Sequence, residues 1–132
     1  MGISDDQGLA VSEVRPFPHR GEIWLVALDP VLGAEIGKPR PALVLSNNRA
    51  NELAETVTVL PVTSKTERVY PFEWFIAAGT AGLPLDSKAK ANQIRTVAKE
   101  RMIKRLGRLD GESMAGAERA VLIHLGIDLP RG

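Results

Sequence analysis

Gly33-Ala34-Glu35-Ile36-Gly37-Lys38-Pro39-Arg40-Pro41 joins two apolar runs, residues 23–28 and 42–45. Both runs read as buried strands, so the stretch between them is a loop in a β-rich protein. Its composition is unusual for a connector. Two glycines leave the backbone free to move or to approach a ligand closely. A lone arginine then stands between two prolines. Pro41 pushes Arg40 toward an extended backbone, because its ring clashes with a helical predecessor. Pro39 fixes its own φ and lends no donor. A permanent cation on a stiff stem, beside a flexible acidic loop, suits the recognition of a phosphate.

Working outward, residues 21–28 form a first strand that is apolar on both faces, so it is buried on both sides or lines a subunit interface. Residues 40–46 form a second strand. Residues 47–55 are polar and turn-rich, with room for one helical turn. Residues 56–64 form a third strand, rich in β-branched side chains. Consecutive strands joined by a short polar link pair antiparallel. With Ser46 opposite Val57, paired positions keep a constant sum and Arg40 falls opposite Thr63. Side chains so placed have Cβ atoms about 5 Å apart. A slip of one residue would send them to opposite faces.

Further along, residues 72–77 read as a strand with Trp74 and Ile76 on one face. Residues 87–91 read as a half-exposed strand, since Lys88 and Lys90 alternate with alanines. Residues 92–97 and 103–109 read as two more strands with a turn between them. Asp110 caps a helix over residues 111–125, with Met114, Ala117, Val121 and Leu125 on one stripe. The expected fold is mainly β with helices: a small β-barrel or curled sheet against which a C-terminal α-helix packs. Residues 1–18, interrupted by Pro16 and Pro18, read as a flexible N-terminal tail, and residues 19–132 as a single domain.

A length of 132 residues suits one core, and 44% apolar residues is ordinary for a soluble globular chain. No apolar run approaches a membrane span, and the acidic N-terminus (Asp5, Asp6) is no secretory signal, so a cytoplasmic location is expected. Without cysteine there are no disulfides, thiolate nucleophiles or cysteine-bound zinc. The two histidines, His19 and His124, lack partners at ligand spacing, so neither a metal nor another cofactor is expected. Net charge is only +1, but residues 88–108 carry eight basic side chains against one acid, Glu100. That asymmetry fits either a positive face for a polyanion or a solvated surface, because strand alternation splits charges between faces.

Cleaving RNA needs neither water nor metal as the nucleophile's source, because the ribose 2′-OH can attack its own neighbouring phosphate. The protein must remove that proton, neutralise the crowded phosphorus centre and let the 5′-oxygen leave as a hydroxyl. Arg40 suits charge neutralisation and Thr63 can donate a hydrogen bond to a phosphate oxygen. Glu35 can act as base or can orient Arg40. Arginine holds its proton too firmly for easy acid work, so the acid stays open. The plainer alternative gives Glu35 and Arg40 to the solvated surface and Thr63 to β-branched packing.

Four segments in order, Arg20-Gly21-Glu22-Ile23-Trp24, residues 33–44, Val59-Leu60-Pro61-Val62-Thr63-Ser64 and Gln93-Ile94-Arg95-Thr96, resemble the MazF/PemK family of toxin endoribonucleases. The resemblance covers residues 20–129. It implies an SH3-like small β-barrel working as a homodimer. It also implies metal-independent cleavage of single-stranded RNA at a short sequence, leaving a 2′,3′-cyclic phosphate and a 5′-hydroxyl, and a MazE-like antitoxin partner. On that pattern Arg40, Thr63 and Glu35 are catalytic. Asn47 and Gln93 fall where relatives contact bases, with Lys38, Ser64 and Arg95 as further RNA-binding candidates. The alternative within the same fold is a non-catalytic toxin that binds DNA gyrase. The chain departs from the family at Ala34, Ile36 and Lys38, and in residues 88–92, a segment commonly apolar in relatives.

Overall fold

The computed structural model describes residues 17–28, 33–34 and 38–128. These form β1 (Glu22–Ala27), β2 (Pro39–Val44), α1 (Asn48–Leu53), β3 (Thr56–Thr63), β4 (Glu73–Ile76), β5 (Ser87–Lys90), β6 (Arg95–Ala98), β7 (Met102–Arg108) and α2 (Gly111–Leu125). Short 3-10 turns, Ala91–Gln93 and Lys99–Arg101, enter β6 and leave it. The strands run in the order β4-β5-β3-β2-β1-β7, with β6 returning to pair with β3. All the pairings are antiparallel. No helix among the described residues is long and apolar enough to cross a membrane.

β3 organises this curled, barrel-like sheet. One edge meets β2 through Ala42↔Pro61, Leu43↔Leu60 and Val44↔Val59, the constant-sum register expected from the sequence. Its other edge is shared: residues 56–59 pair with β6, and Val62 and Thr63 pair with β5. Because β5 and β6 lie along the same edge, the chain must step between them. That is why residues 91–93 form a 3-10 turn rather than the start of a strand, and β6 begins only at Arg95.

Strand alternation divides the core in two. Leu43, Leu60, Val62, Ile76 and Ala89 face α2, which buries Met114, Ala117, Ala120 and Val121 against them. Trp74 packs on this same side, as its alternation with Ile76 predicts. Val26, Ala42, Val44, Val57, Val59 and Val97 gather on the other face. Asp110 caps α2, its Oδ1 accepting the Ser113 N–H at 2.8 Å. Gly126 ends the helix in the left-handed conformation, φ 71°, that glycine adopts without a Cβ penalty. Leu125 departs from the expected stripe. Residues 123–128 are all exposed, so the last turn of the helix projects past the packed core, and Ala120 contributes to the buried face instead.

Residues 87–90 are also more buried than their alternation suggests. Lys88 is nearly inaccessible because Glu73, on the neighbouring β4, accepts from both Lys88 and Lys90. The link between β4 and β5 crosses the backbone of β7. A Cβ on Gly107 would lie 2.3 Å from the backbone carbon of Ala81, where nothing can yield cheaply. Gly107→Ala is therefore expected to destabilise the fold by about 1–3 kcal/mol, read from the midpoint of urea unfolding.

Candidate active site on the rim of the sheet

Arg40 lies at the exposed start of β2, opposite Val26 of β1. It shares the face of Ala42 and Val44, two residues and four residues further along the strand. Thr63 ends β3 on the face of Val59. β2 and β3 are paired from Ala42↔Pro61 to Val44↔Val59, and that register carried two residues further would set Arg40 opposite Thr63. The guanidinium and the hydroxyl thus belong to one row on one face, away from α2. Thr63 Oγ1 also accepts the Lys65 N–H at 3.3 Å, which turns the chain sharply after β3.

Other candidates gather on this rim. Lys38 is exposed two residues before Arg40 and sits at φ 65°. A side chain there costs about 1–2 kcal/mol of backbone strain. Gln93, on the turn before β6, donates from Nε2 to the Ala34 carbonyl at 3.3 Å and so touches the loop between β1 and β2. Ser64 follows Thr63 in the open. Arg95 is half-buried opposite Val59, four residues back along β3 from Thr63, so it lies off the rim by about 13 Å. Glu35 lies outside the described residues.

Asn47 is placed elsewhere. It follows β2 at the end opposite Arg40, on the order of 20 Å along an extended strand. Its Oδ1 caps α1 by accepting the Ala50 N–H at 2.8 Å. The basic run of residues 88–108 is likewise dispersed. Lys88 and Lys90 bind Glu73, Arg105 binds the buried Glu22 at 2.9 Å, and Arg101 donates to the Ala27 carbonyl at 3.0 Å.

The sequence reading missed the Glu73 cluster, although Lys88 stands directly opposite Thr63 in the β3–β5 ladder. Burial resists the Glu73 charge. Hydrogen bonds from Lys90, the Tyr70 amide and Lys88, with the Lys90 charge, outweigh it and hold the carboxyl below its usual range. The available signal was two lysines two residues apart on a strand, facing an acid on the strand before. Among the described residues no group of three or more His, Asp or Glu is placed to hold a metal ion. A shallow cavity of about 300 Å³, lined by Arg20, Leu45, Glu118, Val121 and Leu122, lies on the α2 side and away from the Arg40 row. An open rim rather than an enclosed cavity suits a polymeric substrate.

Residues 19–125 match the family described as PemK-like, MazF-like toxin of type II toxin-antitoxin system. The chain belongs to the PemK/MazF toxin family. A PemK/MazF relative from Mycobacterium tuberculosis, named Endoribonuclease MazF9, is 46% identical over 112 residues, spanning 81% of this chain and 95% of its own. The crystal structure of MazF from Deinococcus radiodurans superposes with a TM-score of 0.75 at 26% identity, covering 86% of this chain and 100% of that one. An endoribonuclease in complex with its cognate antitoxin, from a mycobacterial species, gives a TM-score of 0.67 at 26% identity, covering 86% and 99%. The antiparallel sheet with its C-terminal helix is therefore the PemK/MazF fold.

Proposed function

We propose that this PemK/MazF chain is the toxin of a type II toxin–antitoxin pair and a sequence-specific, metal-independent endoribonuclease acting on single-stranded RNA in the cytoplasm. The observation that carries the reading is the row holding Arg40 and Thr63 at one open end of the sheet, in a chain 46% identical to an endoribonuclease.

In this mechanism the 2′-oxygen attacks the adjacent phosphorus. Glu35 takes the 2′-OH proton. The phosphorus–O5′ bond breaks, the 5′-oxygen takes up a proton, and the products carry a 2′,3′-cyclic phosphate and a 5′-OH. Arg40 offsets the charge that accumulates on the non-bridging oxygens, where a fixed donor acts more strongly on the transition state than on the ground state. Thr63 donates to one of those oxygens. Lys38, Gln93, Ser64, Arg95 and Asn47 are proposed to contact RNA. A homodimer and a MazE-like antitoxin complete the assembly.

The test is incubation of purified protein with a long single-stranded RNA in excess EDTA. Discrete fragments ending in cyclic phosphate are expected. Intact RNA together with inhibition of DNA gyrase would replace this reading with the non-catalytic toxin of the same fold.

A further inference from the structure

Beyond Thr63 the chain leaves β3 as an exposed loop, residues 64–71, and that loop is tied down from beneath. Lys88 donates to the Arg68 carbonyl at 2.6 Å and pairs with Glu73 Oε1 at 2.9 Å. The same Glu73 oxygen accepts the Tyr70 N–H at 3.0 Å. One buried ion pair thus fixes residues 68 and 70. Removing two ions from water is costly, and the hydrogen bonds to the Arg68 carbonyl and from the Tyr70 N–H offset part of that cost.

The tethers present two side chains outward. Arg68 Nη1 donates to Tyr70 Oη at 2.9 Å, with the guanidinium carbon 5.6 Å from the ring centroid. Phe72 stacks on Tyr70 with centroids 5.1 Å apart and planes within 5°, and Phe72 in turn lies against His124 of α2. Tyr70 is nevertheless 41% exposed. Lys65 adds a second exposed cation to the loop, against one exposed acid, Glu67. A fixed cation beside a supported aromatic ring is the combination by which proteins hold unpaired nucleotides, with the cation on phosphate and the ring on a base. Lys88 stands opposite Thr63 in the β3–β5 ladder, so its tether anchors the loop at the end of β3 that carries Thr63, while the Tyr70 ring leans toward the α2 side of that end.

We propose that Arg68 and Tyr70 form a subsite for a nucleotide flanking the scissile phosphate, Tyr70 stacking its base and Arg68 binding its phosphate. This rests on reading Arg40 and Thr63 as the site of cleavage. Tyr70→Leu and Arg68→Ala test it, since both side chains face solvent and the tethers use backbone atoms that survive. The probe is a mixed-sequence single-stranded RNA with 2′-O-methyl riboses, which cannot supply the nucleophile, titrated by fluorescence anisotropy at several salt concentrations.

Tyr70→Leu should bind about tenfold more weakly. Arg68→Ala should bind more weakly and lose about one unit from the slope of log affinity against log salt. Cleavage of unmodified RNA at sub-saturating concentration should fall in both variants in step with the lost affinity. Wild-type affinity and salt slope in both variants would overturn the subsite while leaving the nuclease standing, provided the wild type cuts RNA. A wild type that binds the blocked RNA through Tyr70 and Arg68, yet never cuts its unmodified counterpart, would keep the subsite and remove the nuclease.

Discussion

Arg40→Ala should lose RNA cleavage by about a thousandfold or more while unfolding at the wild-type temperature. The size follows from the chemistry. Removing one fixed donor from a developing oxyanion costs about 10²–10³ in rate, and here a full positive charge leaves together with the donor. The stability follows from placement. Arg40 is exposed at the first turn of β2 onto the sheet, and the cores begin further along at Ala42 and Leu43. Substitutions at such positions stay within about 0.5 kcal/mol. Pro39 and Pro41 continue to hold the backbone extended. Arg40→Lys separates charge from geometry. A lysine restores a point charge without the planar fork, so partial recovery is expected. Thr63→Ser should stay active and Thr63→Val should fall, because only the hydroxyl is needed. Single-turnover cleavage of a defined single-stranded RNA, with a thermal melt on each variant, measures all four. Cleavage by Arg40→Ala at the wild-type rate would remove Arg40 from the mechanism.

The alignment behind that prediction was legible in the sequence. Residues 47–55 form a short polar link, so Ser46 set opposite Val57 fixes a register, and the observed pairs Ala42↔Pro61, Leu43↔Leu60 and Val44↔Val59 keep it. The cap and length of α2 were legible for a similar reason, because Asp110 and Gly126 are local signals. Tertiary contacts decided what was misread. Lys88 and Lys90 look like a solvated face until β4 brings Glu73 beside them, and nothing local announces that contact. The same holds for the basic run as a whole. Its charges were visible, but their partners Glu22, Glu73 and the Ala27 carbonyl come from distant strands. Asn47 is a separate case, a proposed RNA contact whose Oδ1 also caps α1. One side chain type serves both helix capping and base contact, and the sequence does not separate them.

Glu73→Leu should be the most destabilising single change at the charged cluster, by about 3–5 kcal/mol. Its carboxylate has no accessible surface and answers two ammonium groups, Lys88 at 2.9 Å and Lys90 at 2.7 Å. Leucine would leave both lysines confined beside an apolar neighbour, and the Tyr70 N–H would lose its acceptor. The cost is that of stranded ions, not of a bond with a fixed worth. Replacing all three residues together, Glu73→Leu with Lys88→Met and Lys90→Met, should therefore recover most of the lost stability. Urea unfolding of the single and triple variants decides this. If the triple variant is no more stable than the single one, stranded charge is not the cause. The pH dependence gives an independent reading. The folded carboxyl is held below its usual range, so the unfolded chain takes up a proton first. Its stabilising contribution is complete above the ordinary carboxylate range and is lost as pH falls through the depressed folded value. Wild-type protein should lose stability along that descent, and the triple variant, with no carboxyl at position 73, should lose less. Equal slopes in the two proteins would place the acid sensitivity in other carboxylates.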